Sequence, residues 1–198
     1  MKYSEYINAF YEQTKKFGID PPIEVISLIF ENTERKVFKK GEIFLKQGEV
    51  CIEAYFIVKG MVRSYGILPN GTEKTYMICR ENNIFTESSS FMSRRPSSDF
   101  LEAMEDTEVL ITRYEKLLGL YEKYHVWATI GRKISDLNYI VSLRRLKSLM
   151  NDSAEFRYKS FLNSYRNVLD RIPQHIVASY LGITPQSFSR LKKELDSE

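Results

Sequence analysis

The sequence predicts an α+β protein in which a roll of short strands lies between helical segments and is followed by a long helix and a small helical domain. Three observations carry this prediction. Between residues 36 and 112, short β-branched and aromatic runs alternate with turn residues. On both sides of that stretch, apolar residues recur at three- and four-residue steps. The last quarter holds a helix, turn and helix pattern over 172–195. With 198 residues, 43% of them hydrophobic, the chain can bury one large core or two modest ones.

Taken in order, Tyr3, Tyr6, Ile7, Phe10, Thr14 and Phe17 mark one face of an amphipathic helix that Gly18 ends, and a short helix follows over about 22–31. The runs VFKKGEIFL, EAYFIVKG, MVRSYGIL, EKTYMI and EVLITR then read as strands of an all-β roll or sandwich. Pro69-Asn70-Gly71-Thr72 reads as a tight hairpin in which Asn-Gly supplies the positive φ angles. After Arg113 the helical period returns. One long helix carries two apolar stripes: Ile130, Ile134, Leu137 and Val141 on one face, and Tyr139, Leu143, Leu146 and Met150 beginning on a neighbouring face. Two faces need two partners, and the first stripe suits either the β domain or a second copy of the chain. Asn151-Asp152-Ser153 breaks the pattern before a further helix over about 154–169.

Composition excludes several classes. The first residues, MKYSEYINAFYEQTKKFG, lack the apolar centre of a signal peptide and the length of a membrane span, so a cytoplasmic location without membrane contact is expected. Cys51 and Cys79 are too few for a disulfide framework, a structural zinc set or a four-thiolate cluster, and both are expected to be reduced. A cupin-like metalloenzyme needs clustered ligands on strands, whereas His125 and His175 fall in helical regions outside the roll. Without a catalytic constellation, metal site or cofactor motif, a non-enzyme is expected. Charge is uneven: from Arg144 onward ten Lys/Arg stand against six Asp/Glu, while residues 1–143 hold nineteen against twenty. A basic tail suits phosphate contact.

The stretch IPQHIVASYLGITPQSFSRLKKEL is the most informative. Pro173 fits the first turn of a helix, where its missing amide hydrogen is not needed. Counting Gln174 as first, Ala178 is fifth, Gly182 ninth, Phe188 fifteenth and Leu191 eighteenth. A small residue lets two helices cross closely, glycine tolerates a left-handed turn, and the two apolar residues anchor the second helix. Thr184 is its N-cap and Pro185 its first residue. Gln186, Ser189, Arg190 and Lys193 then point away from Phe188, Leu191 and Leu195. Arg190 suits guanine and Gln186 adenine or a neighbouring base, while Ser187, Ser189, Lys193 and Gln174 suit the DNA backbone.

These residues resemble the Crp/Fnr regulators, particularly the compact members common in Bacteroidetes. KKGEIFLKQGEVCIEAYFIVKGMVRSYGILPNGTEK, with Gly41-Glu42, Gly48-Glu49 and Phe56-Ile-x-x-Gly60, is similar to their cyclic-nucleotide-binding-type roll, and RIPQHIVASYLGITPQSFSRLKKEL to their DNA-reading domain. Coverage is nearly complete. The resemblance implies a double-stranded β-helix (jelly-roll) sensor domain over 1–124, a dimerisation helix over 125–150 and a helix-turn-helix, winged-helix-like domain over 151–198. It implies a homodimer seamed by the long helix, at Ile130, Ile134, Leu137 and Val141, on near-palindromic double-stranded DNA, with RNA polymerase as a further partner.

The match departs at the effector site. Members that bind cyclic AMP carry Gly-Glu-Leu and, after a short helix, Arg-Ser/Thr-Ala, where the arginine neutralises phosphate. Here Thr86-Glu87-Ser88 and Ser97-Ser98-Asp99 stand in those places, and Arg94 and Arg95 lie just upstream. Thr86, Glu87, Ser88, Arg95, Ser97 and Ser98 form the candidate effector pocket, for a ligand other than cyclic AMP or for none. The four-cysteine oxygen-sensing pattern is missing. The competing reading is a regulatory or adaptor protein with a degenerate sensor domain that binds another protein.

Overall fold

The computed structural model describes residues 3–16, 18–31 and 33–195. Phe17, expected on the first helix, lies outside them, as does the side chain of Tyr3. The chain divides into two compact units, Met1–Ser64 with Ile78–Leu137, and Tyr65–Met77 with Asn138–Glu198. The division falls inside the long helix rather than at 124/125 and 150/151, the boundaries that the resemblance implies.

Eight strands build the roll: β1 (Glu34–Phe38), β2 (Ile43–Leu45), β3 (Glu53–Lys59), β4 (Met61–Ile67), β5 (Glu73–Arg80), β6 (Ile84–Phe85), β7 (Phe100–Ala103) and β8 (Thr107–Arg113). They form two four-stranded sheets, ordered β1-β8-β3-β6 and β2-β7-β4-β5. Strand β8 is central to its sheet, pairing antiparallel with β1 (Lys36 opposite Val109) and with β3 (Tyr55 opposite Ile111). The expected run VFKKGEIFL is thus two strands, broken where Gly41 turns with φ 81°.

In the first unit, α1 (Tyr3–Lys16) and α2 (Ile23–Phe30) precede the roll, α3 (Ser88–Ser93) interrupts it, and α4 (Tyr114–Lys123) leads into the 27-residue α5 (His125–Asn151). The apolar face read from sequence is the face that α1 buries: Tyr6, Phe10 and Thr14 are buried, and Ile7 packs beside them. Phe10 lies 5.8 Å from Phe30, 5.5 Å from Phe56 and 5.8 Å from Trp127, centroid to centroid. Trp127 donates its indole N–H to the Val25 carbonyl at 3.1 Å, so its burial leaves no polar group unsatisfied.

This core corrects the expected seam at Ile130. Ile130 is 1% exposed, enclosed with Tyr6, Phe10, Phe30, Phe56 and Trp127, and Ile134 packs against the same cluster. Ile130 is therefore committed to its own chain and cannot meet a second copy, whereas Ile134 and Leu137 are half-buried and Val141 is 52% exposed. The aromatic residues of α1 and α2 supply the partner that the first stripe requires.

In the second unit, the β4–β5 hairpin tip turns on Leu68–Gly71, with the Gly71 amide donating to the Leu68 carbonyl at 2.8 Å. Gly71 takes φ 81° but Asn70 is not left-handed, so the expected pair of positive φ angles is not formed. Proline fixes φ near −65° at the second turn position and selects an ordinary turn, which leaves one left-handed residue to close the hairpin. The second half of α5 is followed by α6 (Ala154–Tyr165), a 3-10 helix (Arg166–Arg171), α7 (Gln174–Leu181) and α8 (Pro185–Leu195). Among the described residues no strand follows Arg113. Among the described residues the strands of the expected winged-helix-like form are therefore not seen, and the 3-10 helix occupies the approach to α7.

Candidate nucleic-acid interface and effector pocket

The geometry of α7 and α8 starts from Gly182. Its φ of 73° ends α7, and the Ile183 amide donates back to the Ala178 carbonyl at 3.1 Å, so only three residues separate the two helices. Thr184 then caps α8: its hydroxyl accepts from the Ser187 amide at 3.1 Å, and Pro185 is the first helical residue. Such a cap contributes about 1 kcal/mol. Pro173 lies one position earlier than expected, as the N-cap of α7 rather than within its first turn.

A small core fixes the pair. Ile176, Val177, Ala178, Leu181 and Phe188 are buried, and Phe188 meets Tyr158 of α6 edge-on at 5.1 Å. Arg157 ties the end of α7 to the start of α6, donating to the Leu181 carbonyl at 2.9 Å and the Asp152 carbonyl at 2.6 Å. The hairpin tip is bound to the same group: the Ser179 hydroxyl accepts from the Thr75 amide at 2.8 Å and donates to the Glu73 carbonyl at 2.9 Å. With Phe188 turned inward, Gln186, Ser187, Ser189, Arg190 and Lys193 are all exposed, as are Gln174, Thr184 and Pro185. The outward face of α8 is therefore polar and cationic.

In the candidate effector pocket, Glu87 is 8% exposed and caps α3, its carboxylate accepting from the Ser89 amide at 3.1 Å and the Ser90 amide at 2.7 Å. The amides at the start of α3 thus already hold an anion from the chain itself. Ser90 accepts from the Cys51 amide at 2.9 Å and donates to the Arg95 carbonyl. Ser97 is buried and its hydroxyl is used locally, donating to the Asp99 carbonyl at 2.9 Å and accepting from the Asp99 amide at 3.0 Å. Asp99 also accepts from Ser64 at 3.0 Å and from Ser98 at 2.8 Å. Thr86 donates to the Glu53 carbonyl at 2.9 Å, while Ser88 and Arg95 are exposed.

Two of the nearby guanidiniums are already engaged, while that of Arg95 is exposed. Arg94, left-handed at φ 59°, donates to the Cys51 carbonyl at 2.7 Å and lies 4.2 Å over the Tyr114 ring. Arg63, which the sequence reading missed, is 4% exposed and held by Glu102 at 2.6 and 3.0 Å. Its strand run MVRSYGIL gave no sign that the arginine would be enclosed, because its partner lies 39 residues away. Among the described residues no group of three or more His, Cys, Asp or Glu is placed to hold a metal, and no helix is long and apolar enough to cross a membrane.

With its eight-stranded roll, long helix and pair of closely joined helices, the chain is similar in fold to a solved member of the Crp/Fnr family. Residues 35–124 match the cyclic nucleotide-binding domain family. Over 186 residues, the chain is 23% identical to the cyclic AMP receptor protein of Thermus thermophilus, covering 91% of this chain and 84% of that one. Its fold matches FixK2 from Bradyrhizobium japonicum with a TM-score of 0.75 at 20% identity, over 83% of this chain and 85% of that one. It also matches a Crp/Fnr-family transcriptional regulator from Eubacterium rectale with a TM-score of 0.71 at 20% identity, over 90% and 85% of the two chains.

Proposed function

We propose that the chain is a sequence-specific transcription regulator of Crp/Fnr type, acting as a homodimer on a near-palindromic operator and not governed by cyclic AMP. The observation that carries this reading is the face of α8. Gln186, Ser189, Arg190 and Lys193 are exposed opposite the buried Phe188, on a helix whose first turn is fixed by Thr184. Such a helix fits the major groove, with Arg190 suited to guanine and the remaining polar groups to adenine or phosphates. Two copies would read half-sites about one DNA turn apart.

The seam belongs on the second stripe of α5. Tyr139 is 69% exposed, Leu146 54% and Met150 74%, an apolar face on one helix that a second copy would cover. Independence from cyclic AMP rests on the pocket chemistry: Glu87 occupies the α3 amides, and Arg63 and Arg94 are already engaged.

Selection of the purified protein on a random duplex library, with Arg190→Ala in parallel, tests the reading. A palindromic motif that is enriched by the native chain and lost in the variant is the expected result. No enrichment by the native chain would favour the adaptor alternative.

A further inference from the structure

A groove of about 400 Å³ opens within the second unit between the later turns of α5, the exposed row of α6 and the end of α7. That volume falls in the range of small-ligand pockets, ~300–1,000 Å³. Its walls are cationic, since Arg144, Arg145 and Arg157 line it beside a single acid, Asp152.

The state of those cations is informative. Arg145 donates to the Tyr180 carbonyl at 2.5 Å and the Thr75 carbonyl at 3.2 Å, and lies 3.6 Å over the Tyr180 ring. Arg157 is held by the carbonyls of Leu181 and Asp152. Both are thus oriented by carbonyl dipoles, and neither makes an ion pair among the described residues. Burial lowers the Arg145 pKa, and the nearby positive charge of Arg157 pushes it the same way. Partly desolvated like charges without a counter-ion attract an anion. Arg144 is exposed at the rim and free to swing toward a guest.

The rest of the groove supplies shape. Phe156, Ser160 and Ser164 recur every fourth residue on α6 and line it together, with Ser148 on the α5 side. Hydroxymethyl side chains leave open the space that larger residues would fill. Phe156 is 57% exposed and offers a flat apolar wall. We propose that this groove binds a small organic anion with a flat apolar body, its oxyanion head meeting Arg144 and Arg157 and its body lying along Phe156. The proposal goes beyond DNA reading and assigns a ligand site to the second unit, apart from the roll.

The test is calorimetric titration of the full-length protein with 2-naphthoate and with its neutral amide, 2-naphthamide. The expected result is saturable binding of one naphthoate per chain, at least about tenfold tighter than the amide, the scale of one charge-assisted contact. Arg144→Ala should weaken naphthoate by a similar factor, and Ser160→Trp, which fills the groove, should abolish binding. Ser164→Trp replaces it if the first filled variant fails to fold. Absence of naphthoate binding, equal affinity for acid and amide, or undiminished binding by a folded filled variant would overturn the site. So would displacement of naphthoate by a non-operator duplex, which would assign the guanidiniums to DNA phosphate. Operator selection is read separately, so failure to bind DNA strikes the proposed function and leaves the naphthoate result standing.

Discussion

Single side chains decide where α8 begins and what it presents. The Thr184 hydroxyl satisfies the Ser187 amide, so Thr184→Ala should lower stability by about 1 kcal/mol while Thr184→Ser retains it, measured by urea denaturation. Arg190→Ala and Lys193→Ala should separate two kinds of contact. The first should cost about 1–3 kcal/mol on the selected operator and relax one base preference, while the second should weaken all duplexes alike and lower the salt slope by about one, as read by fluorescence anisotropy. In the first unit, hydrogen bonding from Arg35 holds the Glu108 carboxyl below its usual range, helped by Tyr6 and by the charge of Arg35 and opposed by burial. A depressed folded pKa means the contribution is full above the unfolded carboxylate value, about 4.3, and is lost as pH falls through the folded value. Glu108→Gln should therefore flatten the acid limb of Tm against pH below about 5, where the native protein declines. A parallel acid limb in the variant would show that other carboxylates dominate.

Among the elements, α5 shows what a sequence pattern reveals and where it stops. Periodicity found both of its stripes and the buried face of α1, because those signals are local. It could not say that Ile130 stays within the chain, since that depends on Phe10, Phe30 and Phe56, roughly 70 to 120 residues away in sequence. Ile130 of the first stripe is buried while Leu146 and Met150 of the second are exposed, and mutation should separate them. Leu146→Glu with Met150→Glu should yield folded monomers by light scattering and abolish tight operator binding. Ile130→Glu should instead unfold the first unit, because an unpaired charge in that core costs several kcal/mol. Folded monomers from Ile130→Glu would reverse this assignment of the faces. The two-residue β6 was illegible for the opposite reason, being too short to show a period, and is defined by pairing with Tyr55 and Phe56. A third limit shows before α7: the resemblance carried a strand-bearing form of the head onto a segment that folds here as a 3-10 helix.

For the molecule as a whole, the head was more legible than the pocket. Gly182 and Thr184 act on neighbours within a few residues, so their spacing in sequence states their geometry. Around the candidate effector residues, Arg63 pairs with Glu102 and Arg94 with the Cys51 carbonyl, partners that no local pattern names. The sequence did show the missing arginine of the cassette, and the structure adds the carboxylate of Glu87 where an anion would be received. Titration with cyclic AMP should accordingly give no heat and no change in operator affinity. Saturable binding would mean that Glu87 gives way to phosphate.

The chain passes between its two compact units three times, at 64/65, 77/78 and 137/138. The second unit is therefore discontinuous in sequence, and the tip of the β4–β5 hairpin is one of its parts. A fragment starting at Asn138 would lack the Thr75 amide and Glu73 carbonyl that Ser179 engages, and the Thr75 carbonyl that Arg145 engages. For the gene, this means that exchanging only the 3′ portion with that of a related regulator would transplant an incomplete head. A recombinant that keeps its stability would have to inherit two separated coding segments together, which ties the history of a few roll codons to that of α7 and α8.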